Sequence, residues 1–186
     1  MELLIIIIIS LGLSADCFGI AVINGMAPEA LRPGTKLKVS LSFALAHFIM
    51  IFAGFHLGKA VGPAINAPDH WVGFMVLSFI GFKMFLSSLW SNPLTKAFDT
   101  NNIKVVIGLS VATSINALIA GVSLPFMGCT IVLTSFVAAI TVFALTFTGI
   151  HYGRQFGFTL GKRAGAIGGV IIMGIGLANL LYFLIF

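Results

Sequence analysis

An aspartate interrupts one of the most apolar stretches of the chain: Asp16 lies within "LGLSADCFGIAVINGM" (11–26), directly after "MELLIIIIIS". A carboxylate is a hard oxygen donor, able to hold a proton or a divalent cation but not both on the same atoms. One hundred positions later "TSINALIAGV" repeats the pattern of "LSADCFGIAV", setting Ser114 against Ser14 and Asn116 against Asp16. The Asn116 amide supplies a second oxygen donor at the matching place. Three other side chains bring different chemistry. His47, in "ALAHFIM", offers an imidazole. Cys17 offers a sulfur, turned about 100° from Asp16 if the segment is helical. Lys83, in "GFMVLSFIGFKMFL", carries a positive charge able to pair with Asp16. Asp16, Asn116 and His47 are the candidate metal ligands, with Ser14, Ser114, Cys17 and Lys83 as accessory candidates.

The elements that must hold these residues are membrane spans. Hydrophobic residues make up 59% of the chain and charged residues only 8%, against about 25% charged in soluble domains. A spanning helix needs roughly 20 apolar residues. Six such segments are expected at about 3–24, 39–61, 71–91, 104–124, 130–151 and 165–186, divided by the polar and Pro/Gly-rich stretches. Backbone groups in lipid must bond internally, and no period-2 alternation of a barrel strand is present, so the fold class expected is all-α. The opening has Glu2 where a cleavable signal would carry basic residues, so the first span is expected to be retained.

Charge sets the expected orientation. Arg32, Lys36 and Lys38 precede the second span, Lys96 and Lys104 the fourth, and Arg154, Lys162 and Arg163 the sixth, which accounts for eight of the ten basic residues. The positive-inside rule then makes these loops cytoplasmic and puts both termini outside. Basic charge used this way leaves no extended basic surface for nucleic acid. No nucleotide-binding motif is present either, so transport would draw on an ion gradient or on that of the substrate. A carrier is expected, with no cofactor beyond its cargo, and not an enzyme. Nothing in the sequence sets an oligomeric state.

The chain also repeats internally. "FAGFHLGKAVG" (52–62) matches "FTGIHYGRQFG" (147–157), and "GFMVLSFIGFKMFL" (73–86) matches "GGVIIMGIGLANLL" (168–181), both at an offset of 95. The expected organisation is therefore two three-helix repeats, 1–92 and 93–186. Since three is odd, the second repeat enters the membrane from the opposite side. Inverted repeats are a transporter architecture with the substrate near the bilayer midplane, where Asp16 and Asn116 would meet. Small residues on their faces, Gly12 and Gly19 with Asp16, and Gly108, Ala112 and Ala120 with Asn116, suit close helix approach.

The paired "LSADCF" and "TSINAL" segments, in a six-span chain of this length, resemble the MntP-type manganese efflux pumps of the LysE-like superfamily. That family carries a Ser-x-Asp-Ala motif in each half. The resemblance covers essentially the whole chain and implies export of divalent manganese across the cytoplasmic (inner) membrane, with intramembrane acids as ligands. This sequence departs from the pattern at Asn116 for the second aspartate, at Cys17 for the first alanine, and at His47 where the family tends to have Glu or Gln.

Oxygen ligands suit manganese, whereas imidazole and thiolate favour zinc, cobalt or nickel. Asp16 and Asn116 alone are manganese-like; His47 or Cys17 would soften the site. His47 could equally be a helix–helix hydrogen-bonding residue, and Lys83 a structural ion-pair partner of Asp16. His56 and His151 read as interfacial anchors. Two other functions fit the plan: an exporter of a small organic solute such as an amino acid, with Lys83 meeting the carboxylate, and a membrane thiol–disulfide carrier using Cys17 and Cys129. The latter needs two cysteines able to meet, and these do not occupy matching repeat positions.

Overall fold

The computed structural model describes residues 2–26, 32–62, 69–90 and 102–185. They form α1 (Glu2–Gly25), α2 (Pro33–Val61), α3 (Asp69–Trp90), α4 (Ile103–Ser123), a 3₁₀ turn (Leu124–Met127) and α5 (Ile131–Ile185), with no strand among the described residues. Each helix start has a local cause. Pro33 opens α2 after an extended Arg32, where its fixed φ and missing N–H cost nothing. This starts α2 six residues before the expected span and brings Lys36 and Lys38 into its first turns. Asn102 caps α4 by accepting the Lys104 N–H at 3.0 Å. After α4, Pro125 lies in the 3₁₀ turn and Gly128 takes the left-handed conformation (φ 67°) that ends it.

The side-chain distribution is that of a membrane protein. Leu4, Ile49, Met75, Phe79 and Ile140 face outward, whereas Ser10, Ser14, Ser40, His47, Ser110, Ser114 and Ser135 are buried. Water would favour the reverse; lipid favours this. Four segments are long and apolar enough to cross a bilayer: Leu3–Gly25, Pro33–Val61, Ile103–Met127 and Ile131–Gly153. Phe74–Leu86 and Ala166–Ala178 are shorter apolar helices.

α5 comprises 55 residues, and a straight helix of that length would measure about 80 Å, far beyond a hydrocarbon core of about 30 Å. Glycine contacts show that α5 doubles back. Gly149 packs on Phe18 and Ala21, and Gly153 on Val22 and Gly25, so this limb runs parallel to α1. Gly168 packs on Gly12 and Ala15, and Ile172 on Gly12. Beyond Gly153 the chain thus travels back along α1, and the direction changes between Gly153 and Gly168.

The tightest contacts recur at repeat-related positions. A Cβ on Gly54 or Gly58 would collide with the α4 backbone at Leu118 and Val122. At the positions 95 residues on, Gly149 and Gly153 meet α1 at Phe18 and Val22, each 100 residues before its α4 counterpart. Likewise Gly81 meets Gly169, and Gly176 meets Phe74. Such backbone-to-backbone approach is how helices associate in lipid, which gives little hydrophobic drive between them.

Candidate functional site

Halfway along α1 and α4 the two matched polar residues touch. Asn116 donates from Nδ2 to Asp16 Oδ2 at 2.7 Å, and Lys83 Nζ on α3 donates to Asn116 Oδ1 at 3.0 Å. The amide orientation follows from its neighbours, because a carboxylate can only accept and an ammonium can only donate. Lys83 therefore reaches Asp16 through Asn116. The direct ion pair considered from the sequence is replaced by a three-residue chain in which the amide passes the lysine's polarisation to the carboxylate. One negative and one positive charge are held together, which lowers the cost of keeping either in lipid.

Cys17 points to another side of α1, as its position one residue after Asp16 requires. Its Sγ lies 3.6 Å from His47 Nε2, and His47 Nδ1 lies 3.0 Å from the Phe43 carbonyl oxygen. The carbonyl can only accept, so Nδ1 carries the proton and Nε2 is left to receive the Cys17 thiol. Both side chains are fully enclosed, Cys17 in a cluster with Phe43, Ala21 and Val142. The Thr113 hydroxyl also approaches the thiol. His47 thus stands with Cys17 and not with Asn116.

Ser14 and Ser114 direct their hydroxyl protons to their own helices, at Leu11 O (2.9 Å) and Val111 O (3.0 Å). One turn earlier Ser10 and Ser110 do the same toward Ile6 and Val106. The sequence reading missed this second serine pair, although its offset of 100 was visible. It also took Lys36 for a loop cation. Lys36 is buried, with Nζ 2.9 Å from His151 Nδ1, so His151 does more than anchor an interface. His56 packs on Phe52 and Phe55, and Lys59 lies over the Phe55 ring.

Cys129 belongs to a separate buried cluster from Cys17, and the two form no disulfide. Exchange between them has no geometric basis. Among the described residues no three His, Cys, Asp or Glu side chains converge on one point. Any ion at Asp16 must therefore complete its shell with amide or backbone oxygen and water, a hard donor set.

Residues 30–180 match the family model described as "Mntp: Putative manganese efflux pump". Curated relatives agree over nearly full length. A "Putative manganese efflux pump MntP" of Gloeothece citriformis is 34% identical over 97% of this chain and 96% of its own. Proteins of the same name from Sorangium cellulosum and Desulfitobacterium hafniense are 32% and 36% identical, covering 97% and 94% of this chain and 96% and 92% of theirs. No solved structure matches the chain.

Proposed function

The chain belongs to the MntP family, and from that premise we propose that it is a secondary-active exporter of divalent manganese, binding the ion between α1 and α4. The reading rests above all on the bond between Asp16 and Asn116. It joins half-buried side chains at matched positions of the two sequence repeats.

The proposed cycle begins with Lys83 serving as the counter-ion. Asn116 now presents its N–H to Asp16, so it cannot ligate an ion there until its amide turns over. Turning brings Oδ1 toward the ion and takes the acceptor away from Lys83. A divalent cation would therefore replace the lysine charge as it binds: Asp16 and Asn116 supply oxygen, and water and backbone carbonyls fill the remaining positions. Release on the far side returns the amide to Lys83. The organic-solute alternative needs a cation free to meet a carboxylate, and Lys83 is already engaged.

The architecture proposed for this cycle is six spans in two inverted three-helix repeats, 1–92 and 93–186, in the cytoplasmic (inner) membrane with both termini outside. It is supported by the doubling back of α5, the recurring glycine contacts and the placement of basic residues. Alternating access would rock one repeat against the other around the Asp16–Asn116 contact. The decisive experiment measures cellular manganese, zinc, cobalt and iron with and without the protein. Lower manganese in expressing cells supports the reading. Unchanged content of every metal overturns it.

A further inference from the structure

The contact between Lys36 and His151 crosses from one repeat to the other near the start of α2. Lys36 belongs to the first repeat; its Nζ donates at 2.9 Å to His151 Nδ1, on the first limb of α5 in the second. Along α2 it stands about 16 Å from His47, where α2 meets Cys17 beside Asp16, and half a hydrocarbon core is about 15 Å. The repeat-related place is closed differently. At the position matching Lys36 stands Ile131, packed on the apolar core, and His56, which matches His151, rests on rings of its own helix. Of these two matched places, only the first holds a charge.

A second observation lies one turn further in, on the same face of α2. Ser40 is fully buried and its hydroxyl has no hydrogen-bond partner; the same holds for Ser135, its match at the offset of 95. A serine inside a helix can satisfy itself on a carbonyl three or four residues back, as Ser10, Ser14, Ser110 and Ser114 do here. Two matched hydroxyls left dry are polar groups held ready for a partner that enters from outside the fold. The neighbours of Ser40 on α2, Val39 and Phe43, belong to one buried cluster with Val106 of α4 and Val142 of α5. Ser40 thus stands where the two repeats meet.

We propose that Lys36 and His151 form the cytoplasmic gate of the ion path, and that Ser40 is the first side chain a hydrated divalent ion meets once the gate parts. Ser135 is its counterpart behind the apolar closure at the other end. Rocking the repeats apart at the start of α2 breaks the Lys36–His151 bond, frees the lysine's flexible stem to carry its ammonium out to the headgroups, and lets water reach the Ser40 hydroxyl. The charge gives the gate a direction. Closed, it sets an ammonium across the path, which repels cations. An exporter needs such a barrier on the side it empties, because manganese accumulated outside would otherwise run back. An apolar closure suffices at the far end, where the ion is meant to leave.

The gate rests on the export reading for its cargo, but its opening can be followed without transport. In full-length protein carrying Cys17→Ala and Cys129→Ala, Ser40→Cys should react with a membrane-impermeant thiol reagent from the cytoplasmic face only, and Ser135→Cys from the outer face only. Adding His151→Ala should speed labelling at Ser40→Cys at least tenfold, and not at Ser135→Cys. Labelling of Ser40→Cys from outside, or at a rate indifferent to His151→Ala, overturns the proposal. Joining Lys36→Cys to His151→Cys with a bifunctional methanethiosulfonate should cut manganese export by vesicles at least tenfold until a reductant releases the link. One measurement needs no variant: an impermeant amine reagent should modify Lys36 of the unaltered protein at least tenfold more slowly than its exposed neighbour Lys38, and equal rates overturn the gate. Manganese export that persists through the crosslink would sink this inference alone; gated labelling at Ser40→Cys without manganese export would sink the transport reading and leave the gate.

Discussion

Asn116 stands between Lys83 and Asp16, accepting from the ammonium at 3.0 Å and donating to the carboxylate at 2.7 Å. The three residues come from three helices, so a change at any one alters the electrostatics of the other two. Removing the charge of Asp16 should abolish export without preventing insertion, because an amide is cheaper to bury than a carboxylate and the Lys83 side chain left without its counter-ion is exposed. Asp16→Asn is expected to reach wild-type levels in membrane fractions while cells lose manganese tolerance. Normal export by this variant would remove the carboxylate from the mechanism.

Lys83→Gln tests the counter-ion role. It leaves a donor for Asn116 Oδ1 but strips the positive charge, so the carboxylate of Asp16 loses its counter-ion. The variant should accumulate poorly or melt earlier in detergent. Asp16→Asn with Lys83→Gln should recover that loss, and manganese should protect the single variant by supplying the missing charge. A Lys83→Gln protein as stable as wild type without metal would show that the lysine is dispensable to the carboxylate.

Asn116→Asp places two carboxylates within hydrogen-bonding distance of each other. Like charges this close titrate as a pair, and protons compete with the ion for both. Ion binding requires the deprotonated forms, so export by this variant should fall more steeply than wild type as pH drops and should rise as pH increases. Oxygen-rich coordination should also shift preference toward manganese over zinc. Transport measured in vesicles across a pH series checks both effects; a profile parallel to wild type would mean that Asn116 lies outside the coordination shell.

Much of this was legible in the sequence because lipid imposes strong rules. The apolar runs, the matched Ser14/Ser114 and Asp16/Asn116, and the Gly54/Gly149 and Gly58/Gly153 pairs all follow from bilayer length and close helix approach, and each contact appears among the described residues. What the sequence left open were choices among partners. Lys83 could face Asp16 or its matched amide, and His47 could turn to either side of α1. Helix rotation decides such questions, and rotation is set by packing between segments far apart in the chain. Lys36 was misread for a related reason: Pro33 starts the helix early and carries this cation inward to His151.

Glycine contacts give a contrast between two superficially alike positions. A Cβ at Gly54 would strike the Leu118 carbonyl, whereas one at Gly108 meets nothing within 4 Å. Gly54→Ala should force α2 and α4 apart and destabilise the protein by about 1–3 kcal/mol. Gly108→Ala should be neutral or slightly stabilising, through its higher helix propensity. Thermal unfolding in detergent separates the two, and equal shifts would remove Gly54 from the helix contact.

Lys36 and His151 test how the start of α2 and the end of the first limb of α5 are joined. Lys36 is buried as a residue and its Nζ has His151 Nδ1 as its partner at 2.9 Å in a part-buried contact, and a neutral imidazole can accept this bond but a protonated one cannot. His151→Phe preserves an aromatic ring against Tyr152 but removes the acceptor, leaving an ammonium with a lost hydrogen bond; hydrogen bonds to charged groups are worth about 1.5–3 kcal/mol, and this part-buried one lies toward the lower end. Lys36→Met removes the need for the acceptor, because a flexible apolar chain of similar length fills the same space. The single His151→Phe variant should therefore lose stability, and Lys36→Met combined with it should regain most of that loss. If the two substitutions were simply additive in thermal unfolding, the contact would carry no coupling and the ends of these helices would be held by packing alone.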